Sequence, residues 1–422
     1  MADLKSIQDI PLIELGSSGL AGAVPQLVDG YEGGGRVFRT RYIGGDLVFL
    51  VGPDANRFVL TSGRENFSHH QGWGLVFGDP PNILTQDGEE HDDHRHAAGP
   101  AFSAKRMDSY MELIDRQIRE RIDAWADESE VDVYEEMRLL TFDLSAQAFL
   151  GMNHGAEVDT MRDAYLVDRG HQRPDDRRRG EELILSKIGE RRQRPTDDAL
   201  GLLVQHRNPD GRPISDAQLI SHAGIMLLAG YETSASLGAW ALYLLAVHRD
   251  VARRVGAEVA RVRLGDPPAY ARLRELVEID LLLTEAERLY PPVPYGPRGM
   301  AADTEFDGYL LPAGTMVVYC IAASHLLPSL WSSPGAFDPD RFAAPREEQK
   351  QHPYALVGFG GGPRRCIGMT FARAELMTVV ARVIDRYHLD LVPGHSVVQM
   401  YGITAHPLGG MRLRTIERVS VG

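Results

Sequence analysis

The chain has 422 residues, with 59 acidic against 45 basic side chains and a formal charge of −14 at neutral pH. That balance argues against a nucleic-acid partner, whose phosphates call for a basic face. Two cysteines, Cys320 and Cys366, are too few for a disulfide framework and suggest a reducing compartment. The first 22 residues carry acids and no apolar run long enough for a signal peptide or anchor, so a soluble cytoplasmic protein is expected. The length exceeds the usual limit for a single core, yet proline and glycine are scattered and no linker or internal repeat divides the chain. The expectation is one domain over 1–422, mainly α with a small β region.

Taken in order, Val37 to Tyr42 and Leu47 to Val51 flank Gly44-Gly45 and read as a β-hairpin, after which Pro53 and Asp54 open a helix towards Leu60. From Asn66 to Gln86 the chain is rich in Gly, Pro, His and Asn with Trp73, Leu75, Val76 and Phe77 interspersed, which reads as a long loop holding apolar side chains. Asp87 to His96 mixes acids with His91, His94 and His96, ahead of a helix from Met107 to Trp125. Those histidines fall at steps of three and two rather than the four usual for helical zinc ligands. His91 and Arg95 share one helix face, and His94 and His96 are expected at the surface.

Gly151 to Asp198 is polar around Arg173-Pro174-Asp175-Asp176-Arg177-Arg178-Arg179, with room for two short helices at most. Ser215 is an N-cap with Gln218 three residues on, as in a capping box. Ala217 to Val247 is the most apolar segment of the chain. Glu232, Thr233 and Ser234 in its middle would be costly in a bilayer, so it is expected as a helix through the core. Leu281 to Pro292 is a helix end stopped by prolines, with Glu285 and Arg288 on one face. Val293 to Tyr319 holds short β segments, and Tyr401 to Leu413 reads as a closing hairpin.

The stretch with the most chemistry is Phe359-Gly360-Gly361-Gly362-Pro363-Arg364-Arg365-Cys366-Ile367-Gly368. Three glycines allow backbone angles closed to other residues and Pro363 fixes the next φ, so the loop can be drawn tightly around the sulfur. Ile367, Phe371, Leu376, Val379, Val380, Val383, Ile384 and Tyr387 then recur at helical spacing, placing Cys366 at a helix N-terminus. There the helix end and free amides favour thiolate, the form that binds metal. Zinc wants four ligands and paired cysteines, which are missing. An iron already held by four planar nitrogens needs one axial ligand, and thiolate is the ligand that favours O–O cleavage.

The spacing F-G-x-G-x-R-x-C-x-G resembles the haem-ligand loop of the cytochrome P450 superfamily. Four further motifs follow the family order: H-x-x-x-R at His91 and Arg95, A-G-x-E-T-S from Ala229 to Ser234, E-x-x-R at Glu285 and Arg288, and D-P-D-R-F around Arg341. The resemblance implies a triangular helical prism with non-covalent haem b between a distal helix beginning at Ser215 and a proximal helix following Cys366. It implies that Cys366 ligates the iron, that Phe359, Gly360, Gly368, Ala229 and Gly230 lie against the haem, and that His91, Arg95, Arg298 and Arg364 bind its propionates. Glu232 and Thr233 would manage protons in a water-poor pocket, and Gly230 would leave space at the oxygen site. Glu285, Arg288 and Arg341 would lock the loop before the cysteine.

The implied reaction is insertion of one atom of O2 into a hydrophobic small molecule. Trp73, Phe77, Leu228, Ala229, Val293, Tyr295 and Ile403 are the substrate-pocket candidates. Electrons would come from a separate ferredoxin or flavodoxin with its reductase, docking on a basic patch of Arg364, Arg365, His94, His96, Lys105 and Arg106. The protein is expected to be a monomer without membrane attachment. The interval 151–198 departs from the family as a shortened lid. Alternatives are a haem-thiolate peroxygenase, which usually has arginine and proline in place of Glu232-Thr233, a haem-thiolate isomerase, and a haem-based sensor or binding protein without turnover.

Overall fold

A computed structural model describes residues 4–15, 19–42, 45–166 and 174–418. With 57 % helix and 14 % strand the protein is mainly α with a small β portion. Its contacts gather in two units, each assembled from three stretches: Met1–Gly88, Thr284–Cys366 and Gln399–His406 in the first, and Glu89–Leu283, Ile367–Val398 and Pro407–Gly422 in the second.

The first unit is built on a five-stranded sheet. Val37–Tyr42 pairs antiparallel with Gly45–Leu50, which runs parallel to Met316–Cys320; Tyr295–Met300 and Phe67–Ser68 complete it. Gly44 of the expected hairpin lies outside the described residues. Successive strand side chains point to opposite faces, and both faces here are apolar. Val317 and Tyr319 join a cluster with Val48, Leu50 and Leu60, whereas Val318 and Cys320 join another with Phe38, Phe49 and the Ala23, Val24, Leu27 face of helix Ala23–Glu32. The stretch expected as one long loop holds two single-turn helices, His69–Gly72 and Gly74–Phe77. Ser68 caps the first by accepting from the Gln71 amide at 3.0 Å. A four-residue helix has no periodicity to read, which is why the sequence showed only a loop.

The second unit is organised on the helix Asp216–Val247, whose 32 residues begin at Ser215, the hydroxyl accepting from the Gln218 amide at 3.3 Å. It runs along Val133–Leu150, a helix buried over most of its circumference. Among the described residues no helix is long and apolar enough to cross a membrane. The 151–198 interval differs from expectation: it holds Ala156–Tyr165 and a helix of 20 residues, Pro174–Gln193. Its charges sit at helical spacing, Arg177 with Glu181, Arg178 with Glu182 and Asp176 with Arg179, and such pairs each add about 0.2–0.5 kcal/mol. Arg173 lies outside the described residues. At the C-terminal end the hairpin is Val398–Tyr401 with Ala405–Leu408, whereas Leu413 belongs to Arg412–Glu417, paired with Glu130–Asp132 and Tyr387–Leu391.

Candidate active site

In the first unit the cysteine loop needs its glycines. Gly360 and Gly362 have φ of 69° and 57°, left-handed values that other residues rarely adopt, and a Cβ on Gly362 would collide with the Leu60 carbonyl. The Gly360 amide donates to the Val357 carbonyl at 2.8 Å and the Cys366 amide to the Phe359 carbonyl at 2.9 Å, folding the loop back on itself. Cys366 is exposed at its end. The following helix is Met369–Arg386 with Gly368 as N-cap, so the cysteine precedes the first helical turn rather than lying in it.

A buried ionic network anchors this loop. Glu285 accepts two bonds of 2.7 Å from Arg288 and one of 3.1 Å from Arg341, and all three side chains are fully buried. Arg288 also donates to the His325 carbonyl at 2.9 Å, and His325 Nε2 accepts from the Val357 amide at 2.9 Å. Hydrogen bonds therefore run unbroken from the E-x-x-R arginine to Val357, the residue that Gly360 bonds. Burial pushes the pKa of His325 down to about 3, with Arg288 adding to it, so the ring is a neutral acceptor. Sequence reasoning missed His325, and it missed Glu348, which accepts from Arg341 at 2.7 Å and from Ser332 and Arg346. Burial opposes the Glu348 charge, but those bonds outweigh it and hold its pKa down to about 2.

Arg298 sits on the Tyr295–Met300 strand opposite Val317, 4 % exposed. Burial lowers its pKa, Tyr319 and Asp87 acting against that. Its Nη1 donates to the Pro297 carbonyl at 2.7 Å and its guanidinium lies 5.3 Å from the centre of the Tyr319 ring. Among the described residues no carboxylate forms an ion pair with it. A buried cation so placed suits an anionic group brought in by a ligand. Arg364 donates to the Gln86 carbonyl at 2.6 Å and lies 3.5 Å from Asp87. Asp87, another residue the sequence did not flag, also accepts from the Ser68 hydroxyl and the His69 amide. An exposed sulfur in a glycine-dependent loop, together with a buried arginine that has no ion pair among the described residues, fits a haem with its iron ligand and propionates.

In the second unit His91 and Arg95 share the helix Gly88–Ala98; His91 is buried with Nδ1 2.8 Å from Asp92, and Arg95 is half-buried. His94, expected at the surface, is 1 % exposed and bonded to His222 and Asn208. It follows His91 by three residues and so turns towards the same buried side. On Asp216–Val247 the Thr233 hydroxyl donates to the Ala229 carbonyl at 2.8 Å. The Glu232 carboxylate accepts from Tyr134 at 3.2 Å and from Arg138 at 3.3 Å, both on Val133–Leu150. Burial, then Glu232, raises the Tyr134 pKa; burial opposes the Arg138 charge, but Glu135 and Glu232 more than restore it. A Cβ at Gly230 would meet Ser145 Oγ at 2.5 Å, so the missing side chain allows close packing on Val133–Leu150.

The pocket candidates differ in exposure. Trp73 is buried with its ring 5.8 Å from half-buried Phe77, Leu228 and Val293 are half-buried, Ala229 is exposed, and Ile403 is exposed in the hairpin turn. Tyr295 packs in the apolar core near Phe49 and Tyr401, its hydroxyl donating to the Leu20 carbonyl. The expected basic patch is thinner than its sequence suggests, because His94 is buried and Arg106 makes a two-pronged bond to Asp197.

The family model described as cytochrome P450 matches residues 175–409, more than half of the chain. Putative cytochrome P450 136 of Mycobacterium tuberculosis is 33 % identical over 388 residues, 86 % of this chain and 78 % of its own. Cyclooctat-9-en-7-ol 5-monooxygenase of Streptomyces melanosporofaciens is 30 % identical over 341 residues, 75 % and 74 % respectively. Among solved structures, retinoic acid bound cyanobacterial CYP120A1 shares 30 % identity and aligns with a TM-score of 0.80 over 91 % of this chain and 92 % of its own. Fold and cysteine loop together define a haem-thiolate oxygenase. The chain belongs to the cytochrome P450 family. Its cofactor is haem b, held without a covalent bond.

Proposed function

We propose that the protein oxygenates a hydrophobic small molecule, taking electrons from a separate ferredoxin or flavodoxin with its reductase. Haem, when bound, supplies the activation of O2 and the oxygen-transfer chemistry. The chain's own residues do the rest. Cys366 presents its thiolate from a loop fixed through Val357, His325 and Arg288, and that anchored loop is the observation that carries the reading. Phe359, Gly360 and Gly368 shape its surroundings, with Ala229 and Gly230 assigned to the haem-facing part of their helix. Arg298 offers a buried positive charge to one propionate, with Arg364, His91 and Arg95 assigned to the same groups.

Glu232 and Thr233 are assigned to proton handling. The Thr233 hydroxyl already donates within its helix, so its oxygen is what it offers to a water or ligand donor. Glu232 is oriented by its bonds to Arg138 and Tyr134 and is assigned to taking up a proton and passing it on. One relative is named for oxidising cyclooctat-9-en-7-ol and another was solved with retinoic acid. Both compounds are largely hydrocarbon with one polar function, and we assign a substrate of that type.

The test is the absorption spectrum of the reduced, carbon-monoxide-bound protein, followed by screening such compounds for a spin-state shift. A long-wavelength thiolate band that disappears in Cys366→His is expected. An imidazole-type band in the parent protein would remove Cys366 as the ligand.

A further inference from the structure

Two histidines that the mechanism does not use form a buried pair. His222 on Asp216–Val247 is fully buried and His94 on Gly88–Ala98 is 1 % exposed; His222 Nε2 lies 3.1 Å from His94 Nδ1, with the rings at 80°. His94 Nε2 lies 3.2 Å from Asn208 Oδ1. An amide oxygen only accepts, so His94 carries its proton on Nε2, and its Nδ1 accepts from the His222 Nε2–H. One turn earlier on both helices, the Gln218 side-chain Nε2 donates to Glu90 at 2.7 Å. The spacing is four on each side, 90 to 94 and 218 to 222, so the contacts form two successive rungs between helices running the same way. The same helix Gly88–Ala98 carries His91 and Arg95.

We infer that His94 and His222 are positioning residues, pinning helix Gly88–Ala98 to Asp216–Val247 and so fixing how His91 and Arg95 are presented to the haem. This rests on the proposed propionate role of those two residues. The pin works only with both rings neutral. A proton taken up by His222 would place a charge where neither ring meets water, so acid favours the state in which the pin is open. The charged groups around the pair are already engaged: Asp93 with His206 at 2.7 Å, His206 standing edge-on 6.0 Å from His94, Glu90 with Gln218, His91 with Asp92, and beyond Asn208, Asp210 with Arg212. Burial first, and His94 second, push the pKa of His222 down to about 3.

The experiment follows haem transfer from the holoprotein to an excess of a haem scavenger between pH 7.5 and 5, together with amide hydrogen exchange over 88–98. In His222→Leu the buried His94 acceptor loses its donor, so transfer should quicken roughly tenfold or more at pH 7.5 and exchange over 88–98 should rise. His222→Gln keeps an N–H donor that does not titrate; it should hold haem as the parent does at pH 7.5 and lose the acceleration the parent shows below pH 6.5. Parent-like exchange over 88–98 in His222→Leu, or a parent-like acid acceleration in His222→Gln, would overturn the inference. Failure of the propionate reading looks different: His91→Ala and Arg95→Ala would leave haem transfer unchanged while the exchange effects of the His222 variants persist.

Discussion

At the scale of single residues, proton handling and loop anchoring depend on groups whose bonds are already spoken for. Glu232 is shared between Tyr134 and Arg138, so Glu232→Gln should do two things at once. It should slow turnover by about 10²-fold or more, the usual worth of a positioned acid or base, and it should cost about 1–3 kcal/mol in a urea titration, because Arg138 loses its charged partner on the neighbouring helix. Thr233→Ala removes an oxygen acceptor and a bond spent inside the helix, so stability should hardly change while product formed per O2 consumed falls. Unchanged coupling in that variant would take Thr233 out of the mechanism. His325 is the equivalent case on the anchoring side. In His325→Leu the Val357 amide is left without an acceptor. The carbon-monoxide band should then convert to its short-wavelength form at a temperature several degrees lower than in the parent, checked by following both absorbances on heating.

At the scale of elements, the contact between Asp216–Val247 and Val133–Leu150 turns on Gly230. Helix propensity alone would favour alanine there by about 1 kcal/mol. The new Cβ would, however, stand 2.5 Å from Ser145 Oγ and 3.3 Å from Phe149, and overpacking of that kind costs about 1–3 kcal/mol. The clash should win, so Gly230→Ala is expected to be destabilising and the double change with Ser145→Ala to recover most of the loss. If the double variant is no more stable than Gly230→Ala, the packing account of this glycine is wrong. The helix Pro174–Gln193 makes the opposite point: its buried apolar residues are few, Ile184 and Ile188 among them, and its charge pairs hold much of its outer face. High salt should loosen it ahead of the apolar helices, as hydrogen exchange would record.

At the scale of the whole molecule, buried titratable groups pull stability in opposite directions with pH. His222 and His325 have folded pKa values of about 3 against 6.5 for the free side chain, so stability present above 6.5 is lost as pH falls towards 3. Glu348, at about 2 against 4.5, adds a second loss below 4.5. Glu375 has the reverse sign. Burial raises its pKa to about 8, with Ser234 acting against that, so the unfolded chain ionises first and stability falls as pH rises from 4.5 to 8. Glu375→Gln removes that loss. Its thermal midpoint should exceed the parent's by a margin that grows between pH 5 and pH 8, and a constant margin would refute the buried-acid account.

The sequence by itself determined the chemistry and its order along the chain. A glycine run around one cysteine, an acid and a hydroxyl in an apolar helix, and E-x-x-R before a proline stop are local patterns, and local patterns survive without knowledge of what they touch. The distant bonds were decided only by tertiary structure. That His94 turns inward to His222, that His325 ties Arg288 to Val357, and that Glu348 completes the arginine network depend on residues 128, 32 and 7 positions apart meeting in space. No period of 2 or 3.6 records such meetings. The same holds for the contact of Gly230 with Ser145 on another helix, and for the charged run at 174–193, whose polarity concealed the length of a helix laced by its own ion pairs. Burying a polar group demands a partner, and that partner is chosen by the fold rather than by its neighbours in the chain.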